Sequence, residues 1–413
     1  MNRFEAIAAK IKSLSPLVRE IAVVEEAGVL CAYVYPDFGE ASKQGIVNLS
    51  AEIRWYAVEL YNMHAPGDAK VRSYYVLPVP LPKGESGGID RESLERFRLQ
   101  QSEPRPYEPD IDDELYLALK HYVERLTDQP VYPSSHFEFD LALDSLDHVE
   151  LLAYMDESFG VEVHDKEFAA MMTPGALYRY LKAHRTKCEP RRVVWSKLLR
   201  SKGWMRLHRS PWIMTLYRCL ALLLFKLYFR LSVSGEKNIP DSPCIIAPSH
   251  QSMLDGFIIG AALPGGVLRR TFTLAFELVF GRGVMRPVAR FGQLVLIDVN
   301  NDLKASMQKA AVPLIQGYNL VIFPEGARTR DRELLEFRPF FAMLAKEFNV
   351  PIVPTVLDGT FEALRAGMLF PRPAKVVVKY LDPIYPRDDE SAEMLSARVK
   401  RAIKQEMAAH PFL

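Results

Sequence analysis

The stretch CIIAPSHQSMLDG, residues 244–256, runs from an apolar, strand-like segment through a polar turn into a helix start. His250 and Asp255 lie five residues apart in it. Five residues along one helix place two side chains about 140° apart. The pair can therefore meet only if His250 lies on the loop after a strand and Asp255 in the first helical turn. Ser252 is placed to cap that helix in a capping box with Asp255, so Asp255 serves either His250 or the helix end alone.

A second polar stretch, NLVIFPEGARTRD at residues 319–331, also ends a strand-like run. Its FPEG turn contains Gly326, and glycine lets the backbone turn sharply. Arg328 follows, and an arginine can bind a phosphate through two parallel hydrogen bonds. The alternative is that Arg328 is a solvated loop residue.

Strand-like and helix-like segments alternate around these two stretches. This alternation predicts an α/β layer with a substantially parallel or mixed sheet. The strand-like runs are CIIAP, QLVLID, NLVIF, VPIVPTV and AKVVVKY, and the helical stretches include residues 305–315, 342–348 and 392–407.

As an ordered set, these motifs resemble the glycerophospholipid acyltransferase family, which is PlsC-like and includes the lysophosphatidic-acid acyltransferases. The family's motifs include H-x-x-x-x-D, F-P-E-G-x-R and a V-P-I-x-P strand, which here spans Val350 to Pro354. The resemblance covers about residues 205–385 and predicts an acyltransferase domain over 205–413. It implies that His250 is a general base and that Asp255 orients and stabilises its imidazole. It also implies an acceptor-binding site shaped by Glu325, Gly326 and Arg328.

The sequence departs from the family pattern in two places. The second motif usually ends near I-D-R, whereas this chain has Ile297-Asp298-Val299-Asn300, without the phosphate-binding arginine. The stretch Phe337-Arg338-Pro339 also lacks the glycine that follows it in the family. The resemblance thus implies acyl transfer but leaves the acceptor open.

Residues 111–184 have the pattern of a short helical bundle. The stretch LALDSLDHVELLAYMDESFGVEV places Ser145 in a D-S-L sequence at a helix start, and Thr173-Pro174 begins a last helix. The segment resembles an acyl or peptidyl carrier protein, and that resemblance implies 4′-phosphopantetheine attached covalently at Ser145. Helix N-termini favour such a phosphate. The alternative is that Ser145 serves only as a helix cap.

Residues 1–102 have the pattern of a small α+β unit, with a strand pair turning at Ala27-Gly28 and a helical stretch over 49–63. The unit, with its loop LPKGESGGIDRESL, resembles the C-terminal subdomain of adenylate-forming acyl-CoA synthetases. Gly88 stands where that family has its lysine. The resemblance implies a remnant that cannot adenylate alone. We therefore predict a multidomain α/β protein with an α+β subdomain, a four-helix carrier bundle and an α/β acyltransferase domain.

Composition and charge agree with several globular domains. The chain has 413 residues, 49% hydrophobic and 25% charged, which excludes disorder and collagen-like structure. Residues 1–187 hold 20 Lys and Arg against 31 Asp and Glu, whereas the remainder holds 32 against 20. The four cysteines have no paired spacing, which indicates a reducing compartment without disulfides or zinc. The N-terminus lacks the apolar core of a signal peptide, so we predict a cytoplasmic protein.

A basic, tryptophan-containing stretch precedes an apolar run in the middle of the chain. Residues 185–209 carry nine basic side chains and one acidic one, and residues 211–229 read PWIMTLYRCLALLLFKLYF. The longest uncharged part of that run is seven residues, against about 20 needed to cross a bilayer. This predicts a segment lying on the anionic, cytoplasmic face of a membrane. The alternative is a solvated linker followed by a buried helix.

Taken together, the segments predict an acyltransferase that moves a fatty acyl group from a phosphopantetheine thioester, on Ser145 or in acyl-CoA, to a lysolipid hydroxyl. The partners that follow are an acyl-carrier or acyl-CoA donor, the lysolipid acceptor, a phosphopantetheinyl transferase and an adenylating acyl synthetase. Neither nucleic acid nor a metal is predicted. The alternatives are a non-catalytic, membrane-bound carrier scaffold and the C-terminal portion of a synthetase–carrier–transferase fusion.

Overall fold

The structure is a computed structural model of the chain. It describes residues 3–84, 87–101, 108–201, 205–281, 283, 285–298, 303–329, 332–365, 368 and 370–409. Several residues named above lie outside this range. They are residues 103–107, between the first two predicted domains, Lys202 and Trp204 of the basic stretch, Val299 and Asn300 of the second motif, and Arg330. The chain divides into two compact units, one of Met1–Val193 with Asn300–Leu303 and one of Val194–Val299 with Lys304–Leu413. The boundaries predicted at residues 102 and 111 fall inside the first unit and stay predictions.

The first unit begins with a three-stranded sheet of order β1-β2-β3. Strands β1 and β2 pair antiparallel through the predicted turn, where Ala27 and Gly28 have φ of 49° and 79°, and β2 pairs parallel with β3. The predicted helix over 49–63 forms as α3, a π-helical turn at Arg54–Glu59 and α4. The elements are α1 (Arg3–Leu14), β1 (Val18–Glu26), β2 (Val29–Pro36), α2 (Phe38–Gln44), α3 (Leu49–Ile53), α4 (Leu60–His64), β3 (Val71–Val76) and α5 (Leu94–Gln101).

The rest of the first unit is a helical bundle with its own core. Its helices are α6 (Glu114–Val123), α7 (Ser145–Phe159), α8 (Asp165–Phe168) and α9 (Pro174–His184). Thr173 Oγ1 accepts the Ala176 N–H at 3.2 Å, and Pro174 occupies the first turn, so the predicted start of the last helix is confirmed. Fully buried aromatic side chains fill the bundle, among them Tyr116, Phe137, Tyr154, Phe159 and Phe168.

The second unit is built on a seven-stranded sheet of order β4-β10-β9-β5-β8-β6-β7. Strand β10 pairs antiparallel with β9, and the other described pairs are parallel, so the predicted mixed sheet is confirmed. Five parallel strands therefore end at one edge. The strands are β4 (Ser232–Ser234), β5 (Ile245–Pro248), β6 (Thr271–Phe276), β7 (Leu294–Ile297), β8 (Asn319–Val321), β9 (Ile352–Asp358) and β10 (Val377–Tyr380).

Helices α10 to α19 belong to this part of the chain. They are α10 (Trp195–Arg200), α11 (Pro211–Tyr228), α12 (Asp255–Ala262), α13 (Gly265–Leu268), α14 (Glu277–Phe280), α15 (Met285–Phe291), α16 (Leu303–Ile315), α17 (Phe340–Phe348), α18 (Thr360–Leu364) and α19 (Ala392–Ala409). The five predicted strands are all present, whereas β4 and β6 were not predicted. β4 has three residues, too few for a periodic pattern.

Helix α11 packs on one face and exposes the other. Met214, Ala221 and Phe225 are buried, and Arg218 donates to the carbonyl oxygen of Leu263 at the end of α12. The opposite face leaves Trp212 87% and Leu227 76% exposed, with Leu216, Leu220, Leu223 and Leu224 between them. By length and composition alone, α11 is the one described helix that could cross a membrane.

All four cysteines are free. Cys31 and Cys244 are buried, whereas Cys188 and Cys219 are exposed.

Candidate active site

His250 and Asp255 form a hydrogen-bonded pair at the edge where the parallel strands end. His250 follows β5, Asp255 is the first residue of α12, and His250 Nδ1 lies 2.8 Å from Asp255 Oδ2. The side chain of His250 is 21% exposed and that of Asp255 is fully buried. A carboxylate can only accept here, so Nδ1 carries the hydrogen and Nε2 is the nitrogen that can take a proton. The predicted strand–loop–helix geometry thus brings the two side chains together.

The carboxylate of Asp255 also holds the loop between the two residues. Asp255 Oδ2 accepts the backbone N–H groups of Gln251 at 2.6 Å and Ser252 at 2.8 Å. Ser252 Oγ donates to the Leu364 carbonyl oxygen and accepts the Leu254 N–H at 3.2 Å, and the residue directly before α12 is Leu254, which makes no side-chain cap. The predicted capping box is present in part: Asp255 accepts the Ser252 N–H, whereas the Asp255 N–H donates to the Ser252 carbonyl oxygen and not to its hydroxyl. Asp255 serves His250 and the loop rather than the helix end alone.

The FPEG turn holds the backbone of His250 from two sides. Glu325 Oε1 accepts the His250 N–H at 2.7 Å, and the Thr329 N–H donates to the His250 carbonyl oxygen at 2.9 Å. The ring centroid of Phe323 lies 4.3 Å from that of the imidazole, and the two ring planes are tilted by 32°. Two motifs separated by seventy-five residues are thus joined by direct contact, because β5 and β8 are adjacent parallel strands.

Glu325 is buried, and its second oxygen, Oε2, accepts the Leu335 N–H at 2.8 Å. Burial raises the pKa of this carboxyl to about 7, and the neighbouring Asp255 adds to the rise. Gly326 has φ of 61°, the conformation that a glycine allows at a sharp turn. Arg328 is partly buried, and burial lowers the pKa of its guanidinium. The three predicted acceptor residues therefore lie on the turn that contacts His250 through Glu325 and Thr329.

Sequence reasoning missed two features of this edge. Arg332, with φ of 73°, lies 3.5 Å from Asp358 at the end of β9 and 3.2 Å from Glu362. The buried amide of Gln251 has no hydrogen-bond partner among the described residues. Neither feature has a signal in the sequence, because each depends on which strand ends meet. The described residues contain no group of three His, Cys, Asp or Glu side chains placed to hold a metal ion.

Ser145 lies at the first position of α7, and its hydroxyl is not the helix cap. Asp144 is the N-cap: its Oδ1 accepts the N–H groups of Leu146 and Asp147, and Asp147 accepts the Asp144 N–H. Ser145 Oγ instead accepts a hydrogen bond of 2.9 Å from Asn48 Nδ2. The helix start fits covalent attachment of phosphopantetheine, because the hydroxyl is partly exposed and the cap does not consume it.

Comparison with known proteins assigns families to both parts. Residues 230–358 match the family model described as Acyltransferase, and residues 118–181 match the model of the phosphopantetheine attachment site. The two matches lie in separate segments of the chain, and both predicted resemblances are confirmed. The resemblance of residues 1–102 to an adenylation subdomain stays a prediction.

The curated relatives are named as lipid acyltransferases. A 1-acyl-sn-glycerol-3-phosphate acyltransferase of Limnanthes douglasii is 35% identical over 173 residues, covering 41% of this chain and 59% of the relative. One of Cocos nucifera is 31% identical over 182 residues, covering 42% and 56%. The chain thus spans less than two thirds of the length of these relatives.

Two solved structures are similar over parts of the chain. The 1-acyl-sn-glycerophosphate acyltransferase of Thermotoga maritima is 22% identical with a TM-score of 0.43, covering 52% of this chain and 88% of that one. The adenylation–carrier didomain of a carboxylic acid reductase from Segniliparus rugosus is 19% identical with a TM-score of 0.17, covering 44% and 29%.

Proposed function

We propose that this chain is an O-acyltransferase. It moves a fatty acyl group from a phosphopantetheine thioester, on Ser145 or in acyl-CoA, to a hydroxyl of a lysophospholipid or a glycerol-phosphate-like lipid. The observation that carries the proposal is the His250–Asp255 pair, held at 2.8 Å inside the segment that matches the acyltransferase family. A histidine backed by a buried carboxylate is suited to take a proton from a hydroxyl.

The mechanism follows from the hydrogen bonds of His250. Nε2 takes the proton of the acceptor hydroxyl as its oxygen attacks the acyl carbon, and Asp255 stabilises the imidazolium that forms. The new C–O bond replaces the C–S bond of the donor, and the imidazolium returns its proton to the leaving sulfur. No serine nucleophile is required. Glu325 and Thr329 keep the imidazole in place through its backbone.

The acceptor site is proposed on the same turn. Arg328 lies in a partly buried position where a bound phosphate would favour its charged form. Gly326 allows the turn, and Glu325 shapes the site by joining the backbones of His250 and Leu335.

The carrier segment supplies the donor end. When bound at Ser145, phosphopantetheine provides a thiol that holds the acyl group. A phosphopantetheinyl transferase attaches this phosphopantetheine group, called the arm below. An adenylating acyl synthetase is the class of partner that loads the arm with an acyl group. The net charge of −9 over residues 110–187, against +12 over residues 188–413, favours an encounter between the carrier and the transferase.

The exposed face of α11 supports peripheral binding to a membrane, on its cytoplasmic side. Its leucines and Trp212 form one apolar stripe, and exposed basic residues such as Arg192 and Arg200 precede the helix. Apolar residues enter the interface and basic ones attract anionic lipid. Arg218 Nε donates to the Leu263 carbonyl oxygen, so this side chain is held within the protein.

The test is intact-mass analysis of the acyl-loaded chain before and after addition of candidate lysolipids. The wild type should lose the acyl mass and form a diacyl lipid. His250→Ala should retain it, because a positioned general base contributes about 10²–10⁴-fold in rate. His208→Ala, which removes an exposed histidine of the same unit, is the matched control. Discharge by His250→Ala at the wild-type rate would replace this proposal with the carrier scaffold.

A further inference from the structure

The carrier bundle contacts residues 1–102 at the serine that receives the arm. Asn48 is the N-cap of α3: its Oδ1 accepts the Ala51 N–H at 3.1 Å while its Nδ2 donates to Ser145 Oγ at 2.9 Å. The side chain of Asn48 therefore caps a helix of residues 1–102 and also holds the hydroxyl of Ser145, the attachment site in the carrier bundle.

A second contact lies beside the first. Glu138, on the loop that precedes α7, accepts the N–H groups of Leu49 at 3.1 Å and Ser50 at 2.8 Å. The start of α3 is thus capped by a carboxylate of the carrier segment. The loss of this contact would leave both amides without these acceptors until water replaced them.

Apolar side chains cross the same interface. Val47 belongs to the core of the carrier bundle, and Phe139 packs against the core of the first subdomain. Gly45, with φ of 73°, lies so close to α8 that an added Cβ would be 2.9 Å from Lys166 Cα. A cavity of about 260 Å³ remains between the two surfaces, lined by Phe38, Ile46, Leu49, His136 and Met172 among others.

The docked arrangement does not suit a modified serine. A phosphate on Ser145 would replace the hydroxyl that Asn48 holds. The nearest backbone donors already bind carboxylates, Leu146 and Asp147 to Asp144, and Leu49 and Ser50 to Glu138.

We propose that residues 1–102 form an intramolecular docking domain that covers Ser145 in the unmodified carrier and releases it when the arm is attached. The proposal rests on the assignment of Ser145 as the attachment site. Its consequence is that a phosphopantetheinyl transferase acts on the undocked fraction, so docking slows attachment. Attachment in turn weakens docking, because the arm takes the place of the hydrogen bond between Asn48 and Ser145.

The first test measures the rate of attachment to the full chain, using a fluorescent coenzyme A analogue. Asn48→Ser keeps a capping oxygen for α3 but is too short to reach Ser145. The loss of one hydrogen bond should raise the rate about fivefold. Gly45→Ala should also raise it, because the new Cβ meets Lys166.

Gly28→Ala is the matched control for Gly45→Ala. Gly28 has φ of 79°, so an alanine there carries the same backbone strain, but its Cβ would meet nothing within 4 Å. Its rate should equal that of the wild type. Equal rates for all four chains would overturn the proposal, and so would an equal acceleration by Gly28→Ala, which would indicate general loosening.

Hydrogen exchange at the Leu49 and Ser50 amides gives a readout independent of attachment. Both amides should be protected in the unmodified chain, and they should exchange faster after attachment and in Asn48→Ser. Unchanged protection in both cases would refute docking. If mass analysis places the arm on another residue, the Ser145 assignment fails instead, and the exchange of the unmodified chains still decides whether Asn48 holds the carrier.

Discussion

At the scale of single residues, the two oxygens of Asp255 have unequal roles. Oδ2 accepts from His250, Gln251 and Ser252, whereas Oδ1 has no partner among the described residues. An asparagine at this position can therefore place its oxygen where Oδ2 lies and keep all three hydrogen bonds. The substitution removes the negative charge and leaves the arrangement.

We predict that Asp255→Asn folds with a stability loss of about 1–3 kcal/mol, because its amide NH2 is buried where the described residues offer no acceptor. We expect it to transfer acyl groups about 10²–10⁴-fold more slowly per folded molecule, because the imidazolium loses its counter-charge. Single-turnover discharge of acyl-loaded chain, together with thermal unfolding, separates the two effects. A stability loss near 1 kcal/mol with an unchanged rate per folded molecule would show a structural role alone.

His148 gives the carrier segment a sensitivity to acid. It is buried against Phe168, neither ring nitrogen has a described partner, and burial lowers its pKa from 6.5 to about 3, with His136 adding to the effect. Between about pH 3 and pH 6.5, His148 is protonated in the unfolded chain but not in the folded one. The free energy of unfolding therefore falls as the pH drops below 6.5.

Replacement of His148 by leucine should remove most of that loss. We expect exchange of the α7 amides to quicken in the wild type between about pH 7 and about pH 5 and to change much less in His148→Leu, after correction for intrinsic exchange. The exposed His121 supplies the control, since His121→Leu should behave as the wild type. If His148→Leu responds to acid as strongly as the wild type, the sensitivity comes from other titratable groups and not from His148.

Glu325→Gln tests whether the FPEG turn positions His250. An amide has one oxygen, so it can accept only one of the two N–H groups that the carboxylate now binds, and the other faces an N–H donor. We predict that turnover falls about 10-fold or more while binding of acceptor lipid changes little, because the imidazole is displaced and Arg328 is retained. Measurement of kcat and KM separates the two, and a rise in KM alone would make Glu325 an acceptor ligand.

At the scale of elements, short-range patterns predicted most of what forms. The five predicted strands are present, and the spacing of His250 and Asp255 placed them on a loop and a helix start. Contacts that depend on the order of strands in the sheet could not be predicted from these short-range patterns. The bond from His250 to Glu325 requires β5 and β8 to be neighbours, and the bond from Asn48 to Ser145 joins residues ninety-seven positions apart. Local periodicity contains no information on such pairings.

Helix α11 allows a direct test of membrane binding. We predict that Leu216→Glu and Leu220→Glu sharply weaken binding to anionic liposomes without loss of stability, since both side chains are more than half exposed. Leu99→Glu, at a similarly exposed leucine of the first unit, should bind as the wild type does.

The basic residues before α11 allow a second test. Neutralisation of Arg191, Arg192, Lys197 and Arg200 should weaken binding to anionic liposomes, and the effect should be largest at low salt. If the protein instead stays bound to membranes during washes with high salt and with alkaline carbonate, α11 spans the membrane.

At the scale of the whole molecule, the joining of carrier and transferase in one chain has a kinetic consequence. Tethering gives an effective concentration of order mM. We predict that discharge of the wild type is first order and independent of protein concentration. A mixture of Ser145→Ala and loaded His250→Ala, at about 1 µM each, should transfer about 10³-fold more slowly. Equal rates for the mixture and the wild type would show that the domains act between molecules.

The unequal exposure of the four cysteines allows selective spin labelling of the native chain. Burial raises the pKa of Cys31 to about 11 and that of Cys244 to about 12, so their reactive thiolates are scarce. Cys188 and Cys219 are exposed, one in each unit. A nitroxide reagent should therefore attach once per unit without any engineered site. Pulsed electron paramagnetic resonance on that pair would report the spread of distances between the units, before and after attachment of an arm whose thiol is already acylated and therefore takes no label.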